Sequence, residues 1–127
     1  MRKLILWVVA LALLAVPVAA AAEEELRIYP WSEYMDEEKM PADFEAATGI
    51  KVRLDIYENN EEMVAKLQAG GVSQYDIIVP SDYIMPVLIN QNLIQPLDHA
   101  KIPNLDNLKP IFKNTTYDPG NKYSVAY

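Results

Sequence analysis

The spacing of apolar residues along this chain alternates between two periods. Residues 26–29 (Leu26, Arg27, Ile28, Tyr29) read as a short strand closed by Pro30. Residues 37–48 then place Met40, Phe44 and Ala47 at i, i+4 and i+7, which predicts a helix with Pro41 in its tolerant first part and Gly49 as its C-terminal cap. Period two returns over residues 50–57, where Ile50, Val52, Leu54 and Ile56 share a side. Asn60 is the expected N-cap of a helix over 61–69 with Met63, Val64 and Leu67 on one face, ended by Gly70 and Gly71. The apolar run 75–79, stopped by Pro80, reads as a buried strand, and Ile84, Val87 and Leu88 predict a third helical stretch over 81–92. Residues 95–122 are rich in proline and asparagine and read as loop, whereas 123–127 look like the start of another strand.

Strand, helix, strand, helix, strand, helix is the pattern of an α/β parallel sheet with right-handed crossovers. Ligands of open α/β sheets bind beyond the carboxyl ends of the strands. Three segments distant in sequence should therefore meet there: 30–34, 58–60 and 80–83. Because the chain stops at Tyr127 inside an expected strand, the expectation is a fragment of a larger fold.

The first residues add a destination. Arg2 and Lys3, an uncharged run over 4–16 and Ala20-Ala21-Ala22 have the layout of a cleavable secretory signal peptide over residues 1–22. The apolar run is shorter than the roughly 20 residues that a membrane span needs. Of 11 basic and 18 acidic residues, Arg2 and Lys3 belong to the leader, so nine basic residues face 18 acidic ones afterwards. That balance argues against nucleic acid, whose phosphates require clustered Lys and Arg, and suits cations. The chain has no cysteine, which removes disulfides and a lipid-anchor site, and a single histidine, His99, expected in a surface loop. A zinc site of the His/Cys type is not expected.

Two clusters carry candidate chemistry. Trp31, Glu33 and Tyr34 combine ring faces, each worth roughly 0.5 to 2 kcal/mol to a cation, with a carboxylate whose charge-assisted hydrogen bond adds on the order of 1.5 to 3 kcal/mol. They suit an organic ammonium, although core packing of Trp31 with a solvated Glu33 stays open at this point. Ser81, Asp82 and Tyr83 follow a strand and a proline. Ser81 is either a simple helix cap or a ligand contact, and Asp82 argues against an anion at that helix start. Asn114-Thr115-Thr116 fits a glycosylation sequon that arises often by chance. No G-x-S-x-G, H-E-x-x-H, phosphate-cradling glycine loop or C-x-x-C occurs, and no catalytic constellation is seen.

In order, "IYPWSEYM", "FEAATGIKVRLDIYENNEEMVAKLQAG", "YDIIVPSDYIMPVLINQNLIQPLD" and "NKYSVAY" resemble the N-terminal third of bacterial extracellular solute-binding proteins for polyamines, the spermidine/putrescine-binding components of ABC importers. The resemblance implies a type II periplasmic binding protein fold of two α/β lobes closing on a ligand, of which residues 23–127 would form part of the first lobe only. It carries ligand contacts onto Trp31, Glu33, Tyr34, Ser81 and Tyr83, and counts Ser32 as a polar position of the first motif. It implies a non-enzymatic, monomeric periplasmic protein without cofactor or metal, whose partners are a polyamine and a membrane permease. Two positions depart from the pattern. Pro30 stands where asparagine is usual, and Pro86 requires either a non-helical turn over 81–85 or a kinked helix. A binding protein for another solute, a secreted enzyme with downstream catalytic residues, and a sensor module are the alternatives.

Overall fold

The computed structural model describes residues 24–126. The expected leader, its cleavage site and Tyr127 lie outside the described residues. Among the described residues three strands and three α-helices alternate: β1 (Glu25–Pro30), α1 (Lys39–Thr48), β2 (Lys51–Leu54), α2 (Asn60–Gln68), β3 (Ile77–Val79) and α3 (Met85–Asn90). The three strands pair in parallel, in the order β2-β1-β3. Ile28 is the register partner of both Leu54 and Ile77, and Pro30 pairs with Val79, so β1 continues through the proline expected to end it. Pro30 is tolerated because its carbonyl accepts from Tyr57 N–H at 3.2 Å while its own nitrogen owes the ladder nothing.

The order 2-1-3 sends the two crossovers in opposite directions across β1, so the right-handed rule puts α1 and α2 on opposite faces. The two faces are unequally covered. On one side Tyr29 packs with Tyr57, with Met63, Val64 and Leu67 of α2, and with Ile84, Met85 and Leu88 at the start and middle of the third helical segment. Tyr29 meets Tyr57 edge to face with centroids 5.2 Å apart and stacks on Tyr75 at 4.3 Å. On the other side α1 packs beside β2 but buries none of its residues, and Ile77 is 44% exposed. β3 is therefore a half-exposed edge strand, not the buried strand that its apolar run suggests. A continuous apolar run encodes two covered faces, and among the described residues only one is covered.

Local chemistry explains the element ends. Asp36 accepts from the N–H groups of Glu38 and Lys39 at 3.1 and 2.7 Å and so starts α1, which holds its carboxyl below the usual range. Gly49 ends it in the left-handed region, φ 76°, with its N–H on Glu45 O at 2.8 Å. The cap of α2 is Asn59, not the neighbouring Asn60: its side chain accepts from Glu62 N–H at 2.9 Å. A side chain at Gly71 would place Cβ 2.6 Å from Lys66 O, which closes that position to any other residue. The stretch expected as one helix over 81–92 is a 3₁₀ turn, Asp82–Ile84, followed by the short α3 with Pro86 in its first turn. This is the turn alternative, not the kinked one. Residues 95–122 hold four 3₁₀ turns joined by irregular backbone. Residues 123–126 form no strand: the buried Asp118 carboxylate accepts from the N–H groups of Lys122, Tyr123 and Ser124 and from Ser124 Oγ, which turns the backbone around a side chain.

One polar tie spans the elements. Lys66 Nζ of α2 pairs with Asp55 at 2.7 Å and lies 4.8 and 5.2 Å over the rings of Tyr29 and Tyr75, while Tyr75 Oη donates to the same carboxylate. The Lys66 ammonium, and then Tyr75, hold the Asp55 carboxyl below its ordinary value; Asp55 in turn raises Lys66. A carboxyl lowered in the folded state stabilises above its unfolded value of about 4 and loses that contribution as pH falls through the folded value. Replacing Lys66→Met should thus cost about 1 kcal/mol at pH 7, since the pair is partly solvated. Thermal unfolding followed by circular dichroism should show that difference shrinking between pH 5 and 2.

Candidate functional site

The carboxyl ends of the three strands open onto one edge, and the segments that leave them are stitched together. Parallel pairing runs one residue beyond β1: Trp31 bridges Tyr57, and Ser32 N–H donates to Tyr57 O at 3.0 Å. Trp31 Nε1 donates to Glu58 O at 3.0 Å, and Ser32 Oγ approaches Glu58 Oε2 at 3.5 Å. The first loop is thereby fastened to the second. The indole is 42% exposed, so Trp31 does not pack in the core; its N–H is engaged and its ring stands at the surface. Tyr34, 49% exposed, tilts toward it at 57° with centroids 5.8 Å apart, helped by Tyr34 N–H on Trp31 O at 3.3 Å.

Between these rings Glu33 adopts φ 64°. A non-glycine residue in the left-handed region carries local strain, which concentrates at sites where a side chain must be aimed. Here the turn lets the rings of Trp31 and Tyr34 approach each other, with the exposed Glu33 between them in sequence.

The second and third loops meet through two buried polar groups. Tyr57, 1% exposed, donates its hydroxyl to Val79 O, the last carbonyl of β3, at 2.7 Å and lies 3.2 Å from Asn60 Oδ1. Burial, with the phenols of Tyr83, Tyr29 and Tyr34 adding, pushes Tyr57 up to about 12, so this donor is kept at any physiological pH. Asn60 Oδ1 also accepts from Ser81 N–H at 3.3 Å, and its Nδ2 donates to Ser81 Oγ at 3.2 Å and Tyr83 Oη at 3.0 Å. Tyr83 Oη donates in turn to Glu61 Oε1 at 3.4 Å, with the ring 59% exposed. Ser81 makes no side-chain cap bond to the helix that follows.

The sequence-derived candidates thus fall into two groups on one edge. Trp31, Ser32, Glu33 and Tyr34 form the first; Ser81 and Tyr83 form the second; Tyr57 and Asn60 join them. Sequence reasoning named the 58–60 segment but not its parts. Glu58 in the loop and Glu61 in the first turn of α2 add carboxylates at this edge, and no apolar periodicity marks either position. None of the segments 30–36, 55–62 and 80–84 contains a Lys or Arg. Exposed rings, the carboxylates of Glu33, Glu58, Glu61 and Asp82 and no basic residue can hold a cation with an apolar body, and would repel an anion. Among the described residues no group of three or more His, Cys, Asp or Glu side chains is placed to hold a metal ion.

Residues 39–127 match the family model described as bacterial extracellular solute-binding protein. The chain belongs to this family. Its relatives include the spermidine/putrescine-binding periplasmic protein 1 of Haemophilus influenzae, 41% identical over 84% of this chain and 29% of the relative. The putrescine-binding periplasmic protein PotF of Escherichia coli is 38% identical over 99% of the chain and 35% of the relative. Among solved structures, the spermidine/putrescine ABC transporter substrate-binding protein PotD of Streptococcus pneumoniae superposes with a TM-score of 0.76 at 39% identity, covering 82% of this chain and 32% of that one. The chain therefore spans about a third of the length of the relatives it matches. Its small parallel sheet with flanking helices is part of a periplasmic binding protein fold. No helix among the described residues is long and apolar enough to cross a membrane.

Removing the Tyr57 hydroxyl would leave Val79 O without this buried donor. Tyr57→Phe is expected to cost about 1 to 3 kcal/mol in urea unfolding at pH 7. The cost should stay constant up to about pH 9 and shrink above it, because the unfolded phenol ionises near its ordinary value of about 10 while the folded one is pushed up to about 12.

Proposed function

We propose that this chain is the N-terminal part of the first lobe of a periplasmic polyamine-binding protein. In this reading it captures spermidine or putrescine and delivers it to the membrane permease of an ABC importer. One observation carries the reading: three loops lacking Lys and Arg bring exposed Trp31, Tyr34 and Tyr83 to the same sheet edge as Glu33, Glu58, Glu61 and Asp82. The printed names of the relatives support the ligand class.

The mechanism is reversible capture. A methylene chain laid against the Trp31 and Tyr34 faces gains about 0.8 kcal/mol per buried CH₂. An ammonium group over a ring gains about 0.5 to 2 kcal/mol and pairs with Glu33. Micromolar affinity needs about 8 kcal/mol. One wall of this size falls short after the cost of immobilising the ligand, so the remaining contacts come from the facing lobe that the resemblance implies. Ser32, held toward Glu58, and Ser81, held by Asn60, supply fixed polar edges. Chemistry is not needed in such a cycle, and the protein acts as a monomeric carrier in the periplasm once its leader is removed.

Calorimetry on the full-length protein with spermidine, putrescine and an anionic control tests this directly: silence with both amines overturns the reading. Trp31→Ala and Glu33→Ala should each weaken amine binding at least tenfold. Their thermal midpoints should stay close to the wild type, since both side chains stand at the surface.

A further inference from the structure

Asn60 is 7% exposed, with both Nδ2 donors engaged and Oδ1 accepting from Ser81 N–H. The orientation of that amide follows from its partners. Ser81 N–H can only donate, so the atom facing it is Oδ1, and Nδ2 then faces the hydroxyls of Ser81 and Tyr83. A phenol hydroxyl has one proton to give, and its oxygen also accepts. At Tyr83, Nδ2 fills one acceptor position at 3.0 Å and Glu61 Oε1 takes the proton at 3.4 Å. What remains on the Tyr83 oxygen is a lone pair.

We propose that Asn60 is the positioning residue that sets the polarity of this crevice: through Nδ2 it fixes the Tyr83 hydroxyl as an acceptor, and so favours ligands rich in N–H donors over anions. The proposal rests on the amine-binding reading for its ligand, and on the geometry alone for the orientation of Tyr83. Without the Nδ2 donor, the Tyr83 hydroxyl loses the bond that turns its proton toward Glu61. It is then free to rotate and present a donor to the crevice, which opposes an ammonium. Neither Asn60 nor its amide needs to touch the ligand for this effect. Adjacent Asn59 supplies the helix cap, so the role of Asn60 is not that of holding the start of α2.

The test is a double-mutant cycle in the full-length protein, with putrescine as the probe. Asn60→Ala should weaken putrescine binding at least fivefold in the wild-type background. In a Ser81→Ala, Tyr83→Phe background, which lacks both hydroxyls, the same substitution should change affinity less than twofold. Equal loss in both backgrounds overturns the proposal, because a general structural defect acts through neither hydroxyl. A second readout needs no ligand: the Cζ resonance of ¹³C-labelled Tyr83 should move in Asn60→Ala and in the near-isosteric Asn60→Asp, which keeps Oδ1 for Ser81 N–H. An unmoved resonance in a folded variant overturns the role of Asn60 even if amines bind. Absence of amine binding by the wild type, with the resonance displaced, instead overturns the ligand reading and leaves the positioning role standing.

Discussion

The rest of this structure depends on one buried phenol. Tyr57 leaves β2, packs its ring against Tyr29 of the central strand and places its hydroxyl on Val79 O at the end of β3. Its backbone meanwhile extends the pairing of β1 as far as Trp31. A single residue therefore fixes the heights at which all three loops leave the sheet. Adjacent strands lie about 4.8 Å apart, so the loops carrying Trp31, Glu58 and Ser81 leave as near neighbours, although 50 positions separate the first from the last. The buried tie costs little because its donor is neutral and fully used, with Asn60 Oδ1 beside it.

Aromatic rings and a carboxylate come together in two places in this molecule. Lys66 sits over the rings of Tyr29 and Tyr75 with Asp55 as its counter-charge, and that arrangement is complete within the chain. At the sheet edge, Trp31, Tyr34 and Glu33 offer rings and a carboxylate, yet no lysine or arginine lies in the loops around them. The first arrangement belongs to the fold. The second has similar ingredients, on loops whose own sequence contributes no basic side chain.

Much of this was legible in the sequence. The alternation at Val52 and Leu54, the helical spacing of Met63, Val64 and Leu67, and the glycines at 49 and 70 marked the elements, and the strand-helix alternation fixed a parallel sheet. The failures have physical reasons. Asn59 and Asn60 are equally good caps by residue type, and only tertiary packing decides which of them turns inward. Residues 75–79 are apolar enough for a buried strand, but burial depends on what covers them, and a single strand does not encode its cover. Tyr123 and its neighbours have strand-like composition, overridden by the four bonds that Asp118 accepts. At the site, the aromatic-acid cluster was visible because Trp31 follows a strand. The contributions of Glu58, Asn60 and Glu61 were not, because they arise from contacts between loops.

The central place of β1 in the sheet has a consequence for the history of the chain. The strand made first by the ribosome is the one that needs two partners, and those partners lie at residues 51–54 and 77–79. Leu26, Ile28 and Tyr29 thus emerge as an apolar segment with nothing to pair with, and only when residue 79 has followed can the sheet close on both sides. Parallel pairing allows no local hairpin to shelter the segment in the meantime. A nascent chain of this order leaves its central strand without its full pairing for the longest time, the interval in which a chaperone or an export machine can hold it unfolded.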